Sequence, residues 1–380
     1  MSVHMAWMTA PEAMARLGVK PQTLYAYVSR GFIAARPADR DPRQSLYSSQ
    51  DVDALLRNRR AGRSRAKVAQ RAIAWGDPVL ETAIATVRDG RLLYRGQDAV
   101  ALSHAATLED VARLLWAAPD LAFPASAGAA IAGETPKARG LAYLARRAAA
   151  DPPSIGRAPA ALHIEGASLL AGLAAAFCQG HGGAPFHARL AAAWGLDADG
   201  GDLVRRALVL TADHELNPST FAARVAASTG ASLAAAALAG FATLTGPRHG
   251  EASARAAAYL NAAERDGAAA ALADVLARAE QPPGFGHALY PRGDPRAAAL
   301  LDALAPAGAV AEAIAAGEAA TGAAANIDMA LAALTVSRGL PRDAPFLIFA
   351  GGRMTGWIAH AIEQAVSGEP IRPRAHYAGP

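Results

Sequence analysis

The chain has 380 residues and a formal net charge of +4, and 52% of its residues are hydrophobic although only 6% are aromatic. A chain of this length can bury a large core in about two or three domains. Its single cysteine, Cys178, excludes an internal disulfide framework and a cysteine-rich metal site. Because much of the hydrophobic excess is alanine, which has the highest helix propensity, we predict that most of the chain is helical.

The charge is unevenly distributed along the chain. Residues 1–75 contain thirteen basic and five acidic residues, a net charge of +8, whereas the remainder carries −4. A basic N-terminal segment joined to a mildly acidic body indicates that the two parts have different functions.

Two short helices are predicted near the N-terminus. Thr9 followed by Glu12 is a capping-box pattern that starts the first helix, and Gly18 ends it. Pro21 suits the start of the second helix, in which Leu24 faces inward. Two short helices joined by a tight glycine turn are typical of a helix-turn-helix domain.

A strand over residues 45–48 and a third helix over residues 49–56 complete a pattern that resembles the small winged domains of MerR-like and excisionase proteins. We assign residues 1–70 to this domain. The resemblance implies DNA binding through side chains on the second helix: Gln22, Thr23, Tyr25, Ser29 and Arg30. Phosphate contacts would come from further basic residues: Arg40, Arg43 and the run at 57–67. The alternative is a domain kept for protein contacts or stability, with the arginine run as a solvated linker.

Two histidines and one aspartate form the most informative pattern in the body. His249 lies in GPRHGEAS and His287 in GFGHALYPRGDPR, both beside glycines, and Asp328 follows alanines in AANIDMALA. Glycine lets the backbone turn sharply and lets a ligand approach without meeting a Cβ. Histidine exchanges a proton near neutral pH. These three side chains therefore suffice to remove a proton beside a carbonyl and to stabilise the resulting oxyanion.

These segments, in this order, resemble the citrate synthase family. The stretches ADHELNPSTF, GGRMTGWIAHAIEQ and IRPRAHYAG, and an early hairpin, extend the resemblance over about residues 75–380. It implies an all-α fold with a large domain of residues 71–249 and 334–380, a small domain of residues 250–333, and a homodimer.

The resemblance implies a role for each residue of the pattern. Asp328 is the general base that removes a methyl proton from acetyl-CoA, and its place near a helix start favours a carboxylate. His249 donates to the thioester carbonyl, His287 polarises and protonates the ketone of oxaloacetate, and His214 binds the same substrate. The alternatives are a plain helix cap for Asp328 and a satisfied core or surface role for each histidine.

Arginine is suited to carboxylates because its planar fork matches their two oxygens. Arg296, Arg353 and Arg372 stand at the positions that the family uses to bind oxaloacetate, and the last of these implies a contact with the neighbouring subunit's site. Arg374 is a close competitor of Arg372 for that role.

The resemblance weakens on the acyl-CoA side. GEAS stands in place of the common GGAN, so that Glu251 and Ser253 replace a glycine and an asparagine, and Pro291 stands where a basic residue is usual. No lysine lies between Arg296 and Asp328, where family members often place one. Binding of the coenzyme phosphates would then depend on Arg292, backbone amides and helix N-termini, which predicts a weak or altered acyl-CoA preference.

We therefore expect a citrate synthase, which condenses acetyl-CoA with oxaloacetate and hydrolyses the thioester to citrate and CoA. One alternative is a 2-methylcitrate synthase that uses propionyl-CoA; another is a DNA-binding regulator whose body senses a carboxylate. No metal motif is present, and acetyl-CoA enters as a substrate, so we expect no metal and no cofactor. The sequence contains neither a signal-peptide pattern nor an uninterrupted apolar membrane span, and we expect a cytoplasmic protein that does not bind membranes.

Overall fold

The computed structural model describes residues 7–29, 32–38, 41, 44–61, 80–125, 133–179, 185–247, 249–375 and 377. The chain divides into two compact units. One consists of Met1–Glu81 with Arg374–Pro380, and the other of Thr82–Pro373.

The described residues of the first unit form a small sheet and three helices. Its strands are β1 (Trp7–Thr9), β2 (Ala35–Pro37) and β3 (Ser45–Ser48), which form an antiparallel sheet in the order β1-β3-β2. The helices are α1 (Ala10–Leu17), α2 (Pro21–Ser29) and α3 (Ser49–Ala61). The helices and the wing strand predicted from the sequence are thereby confirmed.

Local interactions explain where the first helix begins and ends. The Glu12 carboxylate accepts a hydrogen bond from the Thr9 backbone N–H at 2.7 Å, as the capping box predicts. Gly18 ends the helix with a left-handed φ of 62°. Among the described residues, seven buried side chains form the core of the unit: Met8, Ala13, Leu17, Leu24, Ile33, Tyr47 and Val52.

The second unit begins with a short antiparallel sheet. Its strands are β4 (Ala85–Arg88), β5 (Arg91–Tyr94) and β6 (Gln97–Asp98). Asp89 and Gly90 form the turn between β4 and β5 with φ of 54° and 77°. Such a turn selects these residue types because both central positions are left-handed.

The rest of the second unit is helical in the part that the structure describes. Its helices are α4 (Ala99–Ser103), α5 (Leu108–Leu115), α6 (Pro136–Ala150), α7 (Pro159–Phe177), α8 (Phe186–Ala193), α9 (Ala198–Leu210), α10 (Pro218–Ser228), α11 (Leu233–Leu244), α12 (Ala252–Asp266), α13 (Ala268–Ala277), α14 (Pro295–Leu304), α15 (Gly308–Thr321), α16 (Ile327–Ser337) and α17 (Ala344–Ser367). The predicted all-α character of the body is confirmed. Its division into a large and a small domain stays a prediction.

Helix α17 is buried along most of its length and packs against α5, α7, α9, α10 and α11. Its glycines permit the closest of these approaches. A Cβ on Gly356 would lie 2.2 Å from Asp213 Oδ1, and one on Gly352 would lie 2.4 Å from Thr211 Oγ1. The backbone of α17 therefore lies directly against the segment that follows α9, which carries His214.

One helix among the described residues, α7, has the length and composition of a membrane span, and 56% of the apolar window within it is buried inside the protein. A buried core helix meets the same criteria.

Candidate active site

Two of the predicted histidines lie next to each other. The rings of His214 and His287 are 5.1 Å apart between centroids and nearly perpendicular, at 85°. Tyr290 contacts both rings, and its hydroxyl lies 2.9 Å from His214 Nε2. The upstream ADHEL segment and the GFGH segment therefore meet in the fold.

A strained turn places His214. Glu215 has a left-handed φ of 51°, and its backbone N–H donates to Asp213 Oδ2 at 3.1 Å. The Glu215 carboxylate in turn accepts a hydrogen bond from the Val87 backbone N–H at 2.5 Å. His360 Nε2 lies 3.4 Å from Asp213 Oδ2, and both side chains are fully buried. The turn is therefore held from the hairpin on one side and from α17 on the other.

Backbone pairing joins the segments that carry His287 and Asp328. Phe285 pairs with Ala325, and the Asn326 N–H donates to the Gly284 carbonyl at 2.9 Å. The Leu289 backbone N–H donates to His287 Nδ1 at 3.1 Å. Because this contact makes Nδ1 an acceptor, the proton of the neutral ring lies on Nε2, which donates to no atom of the described residues.

Asp328 occupies the first turn of α16, close to the helix start as predicted. Asn326 caps the helix and accepts hydrogen bonds from the backbone N–H groups of Asp328 and Met329. The Ser253 hydroxyl donates to Asp328 Oδ1 at 2.5 Å. Burial raises the pKa of the Asp328 carboxyl above its ordinary value of 3.8, against the opposing effect of the Ser253 hydrogen bond. A buried carboxylate with a raised pKa is a stronger base than an exposed one.

His249 lies at the end of a hydrogen-bond network. Its Nε2 is 3.0 Å from the Ser219 hydroxyl, which also accepts a hydrogen bond from the Trp357 indole N–H at 3.1 Å. Burial, followed by the charge of Arg353, lowers the pKa of His249 from 6.5 to about 4. The ring is therefore neutral at pH 7 and can donate a hydrogen bond without carrying charge.

Arg296 and Arg353 are both almost completely buried. Asp294 accepts two hydrogen bonds from the Arg296 guanidinium, at 2.9 and 2.7 Å. Arg353 donates from Nε to the Thr211 carbonyl at 3.0 Å, whereas its two Nη groups donate to no atom of the described residues. Burial lowers the pKa of Arg353 to about 10, so it stays charged at neutral pH.

The two arginines connect the parts of the site electrostatically. Burial is the largest cause of the lowered pKa values of His214, His249 and His287. The charge of Arg296 further lowers the pKa of His214 and His287, and the charge of Arg353 further lowers the pKa of His214 and His249. Arg296 also opposes the burial effect on Asp328. All four predicted side chains therefore lie within electrostatic reach of one of two buried cations. Such an arrangement suits an anionic ligand.

Two other predicted residues are exposed and have no recorded contact with this cluster among the described residues. Arg372 is exposed and makes no hydrogen bond or ion pair with the residues that the structure describes. Arg292 is exposed too, and its guanidinium lies 3.7 Å from the position that a Cβ on Gly90 would occupy. The roles of Arg372 in oxaloacetate binding and of Arg292 in CoA binding stay predictions.

The predicted DNA contacts fall partly on described residues. Gln22 and Tyr25 are exposed on α2, with 61% of Tyr25 accessible, whereas Thr23 is half-buried. Arg30, with Arg40 and Arg43, lies outside the described residues, as do the side chains of Arg57, Arg59 and Arg60 and the whole of residues 62–67.

Sequence analysis missed several polar residues of the site: Tyr290, Ser219, Trp357 and His360. Each belongs to one of the recognised segments. Their proximity to a histidine or arginine within those segments was the available signal. Which partner each one contacts depends on pairings between distant parts of the chain.

Comparisons with known proteins identify two regions of the chain. Residues 171–374, more than half of the chain, match the family model described as "Citrate synthase, C-terminal domain", and residues 7–60 match a helix-turn-helix domain. The chain belongs to the citrate synthase family and carries an N-terminal helix-turn-helix domain.

Among curated relatives, the citrate synthase of Haloferax volcanii is 38% identical over 194 residues, which are 46% of this chain and 49% of the relative. The 2-methylcitrate synthase of Shewanella oneidensis is 36% identical over 186 residues, 45% of this chain and 49% of the relative. The chain thus spans about half the length of the curated relatives it matches.

Solved structures of citrate synthases share the fold. The enzyme from Pyrobaculum aerophilum superposes with a TM-score of 0.64 and 24% identity, over 80% of this chain and 91% of the other. A ternary complex of the Thermoplasma acidophilum enzyme with carboxymethyl coenzyme A and oxaloacetate superposes with a TM-score of 0.62 and 22% identity. The match covers 80% of this chain and 94% of the other.

Proposed function

We propose that the body condenses acetyl-CoA with oxaloacetate and hydrolyses the resulting thioester, giving citrate and CoA. The observation that carries the proposal is the meeting of His214 and His287 beside two buried arginines, one of which, Arg353, has two Nη groups that bond to no described residue. A small dicarboxylate with a ketone is the ligand that such a set fits, because the cations bind carboxylates and an imidazole N–H polarises the ketone.

Each step has a group to perform it. Asp328 takes a proton from the methyl carbon of acetyl-CoA, and His249 donates a hydrogen bond to the thioester oxygen as the enolate forms. The enolate carbon then attacks the ketone carbon of oxaloacetate. His287 Nε2 gives its proton to the ketone oxygen, which becomes a hydroxyl, and the proton that Asp328 took from the methyl group replaces it on His287 before the next turnover. Water finally hydrolyses the thioester and releases the CoA thiol.

The pKa values of the histidines support these roles. Burial, the largest cause in each case, lowers the pKa of His249 and His287 below 6.5. A neutral imidazole can donate a hydrogen bond to the substrate. Because it carries no charge, it does not form an ion pair with the Asp328 carboxylate, which stays available to take the substrate proton. Burial raises the pKa of Asp328, so this pKa lies closer to the pH of the reaction, as suits a general base.

The identity of the products tests the proposal. The full chain is incubated with oxaloacetate and either acetyl-CoA or propionyl-CoA, and products are separated and weighed by mass spectrometry. We expect citrate from acetyl-CoA at the higher kcat/KM. A higher kcat/KM with propionyl-CoA would instead assign the chain to 2-methylcitrate synthesis, since one methyl group changes pocket fit by only about 1–3 kcal/mol. No product from either thioester would refute a condensing function.

We further propose that two copies of the chain form the working enzyme, that Arg372 completes the site of the other copy, and that the enzyme acts in the cytoplasm. The exposure of Arg372 and its lack of any hydrogen bond to a described residue support the first two points. Light scattering after size exclusion tests the dimer, and a monomer with full activity would refute it.

DNA binding by the N-terminal domain is a second candidate function. Its helix-turn-helix match over residues 7–60 and the exposed Gln22 and Tyr25 on α2 favour it. A second helix that presents polar and aromatic side chains to solvent is the arrangement that enters a major groove.

A further inference from the structure

Ser253 is buried, at 2% exposure, on the first turn of α12, and it lies four residues after His249. Its hydroxyl donates to Asp328 Oδ1 at 2.5 Å, which is the only hydrogen bond that the Asp328 carboxylate accepts from the described residues. The same position differs from the common family pattern, where asparagine stands in place of this serine.

The charged groups on the surrounding elements act on Asp328 only from a distance. Arg255 lies on α12, and Asp294 and Arg296 lie at the start of α14. Asp294 and Arg296 form a buried ion pair with each other. Glu318 of α15 directs its carboxylate to the Ala325 backbone N–H. His249 and His287 have lowered pKa values and are neutral at pH 7. Among the described residues, the Ser253 hydroxyl is thus the one direct polar contact of the carboxylate.

We infer that Ser253 is a positioning residue that fixes the orientation of the Asp328 carboxylate and sets its basicity, so that Oδ2 is left to take the substrate proton. This inference rests on the proposed function. A hydroxyl that donates to a carboxylate stabilises the ionised form and opposes the effect of burial. A base held in this way stays ionised at a lower pH than burial alone would allow.

Two readouts test the inference. The first is kcat against pH for the wild type, Ser253→Ala and Ser253→Thr, which keeps the hydroxyl. The matched control is Ser228→Ala, which deletes a hydroxyl that donates to the Val225 carbonyl at 2.7 Å, on α10. We expect the acidic limb of Ser253→Ala to move up by about one pH unit, as the loss of one charge-assisted hydrogen bond implies. The Thr and Ser228→Ala profiles should keep the wild-type limb.

The second readout needs no turnover. Infrared difference spectra against Asp328→Asn report the protonated carboxyl of Asp328 as a function of pH. An unchanged titration midpoint in Ser253→Ala would overturn the inference, even if kcat fell. Should that variant lose its cooperative thermal melt, Ser253→Cys, with a weaker donor, must show an upward shift for the inference to stand. If the wild type is inactive but the Asp328 midpoint still shifts in Ser253→Ala, the proposed function is refuted and Ser253 remains the group that sets the pKa of Asp328.

Discussion

The Asp294 carboxylate accepts a hydrogen bond from the Ile327 backbone N–H at 3.1 Å, at the first residue of the helix that carries Asp328. The same carboxylate holds Arg296 through two further hydrogen bonds. One buried aspartate therefore anchors both a proposed carboxylate-binding arginine and the helix of the proposed base. The positions of the arginine and of the base are therefore coupled.

Arg353→Gln should weaken binding of oxaloacetate strongly. The substitution removes a buried charge and the two Nη groups that donate to no described residue. Charge-assisted hydrogen bonds contribute about 1.5–3 kcal/mol each, so the Kd measured by calorimetry should rise about 10-fold to 100-fold. Arg265→Gln, at an exposed position on α12, is the control and should bind normally. An unchanged Kd for Arg353→Gln would remove this arginine from the binding site.

Gly356→Ala should destabilise the second unit. The added Cβ would lie 2.2 Å from Asp213 Oδ1 and 2.6 Å from the Ala212 carbonyl oxygen, so α17 would have to move away from the turn before His214. Overpacking of this kind costs about 1–3 kcal/mol, and the thermal midpoint should fall. Gly201→Ala on α9 is the matched control, because its Cβ would meet only Ala191 at 3.4 Å. Equal melting of the two variants would contradict the close packing of α17.

Stability should fall as the pH is lowered below about 6.5. The pKa of His249 is lowered from 6.5 to about 4 in the folded protein. Between pH 6.5 and pH 4, the unfolded chain therefore binds a proton at this ring that the native state does not bind. For this group alone, the free energy of unfolding should be about 2 kcal/mol smaller at pH 5 than at pH 7.5. His249→Gln should reduce the pH dependence measured by urea unfolding. An identical dependence in the variant would place the titration elsewhere.

The N-terminal domain should enrich a defined duplex from a random pool. Selection with the full chain, followed by shift assays at two salt concentrations, separates sequence readout from phosphate attraction. The double substitution Gln22→Ala and Tyr25→Ala should abolish preference for the selected duplex, while non-specific binding at low salt persists. Absence of any enriched sequence would support a domain that serves protein contacts instead.

Much of the architecture was predictable because it depends on local signals. The Thr9–Glu12 capping box, the strand at residues 45–48 and the turn at Asp89 are set by residues close in sequence. Helix α3 is longer than predicted: it ends at Ala61 and not at residue 56, since no glycine or proline interrupts the chain before Gly62.

The site was predictable in its composition but not in its contacts. The segments around His214 and Asp328 stand out in the sequence, yet the hydrogen bond between His214 and Tyr290 joins residues 76 positions apart, and that between Ser253 and Asp328 joins residues 75 positions apart. The Ser219 hydroxyl on α10 likewise contacts two residues that are distant in sequence, Trp357 on α17 and His249 before α12. Such pairs follow from helix packing, which periodicity alone does not specify.

The most direct test of the account is oxaloacetate-dependent release of the CoA thiol from acetyl-CoA, measured for the wild type and for Asp328→Asn. The substitution keeps the size of the side chain but removes the base. Its kcat should therefore fall at least about 100-fold, the lower range for a general base, while the Kd of oxaloacetate stays the same. Thiol release by Asp328→Asn at the wild-type rate would contradict the assignment of Asp328 as the base.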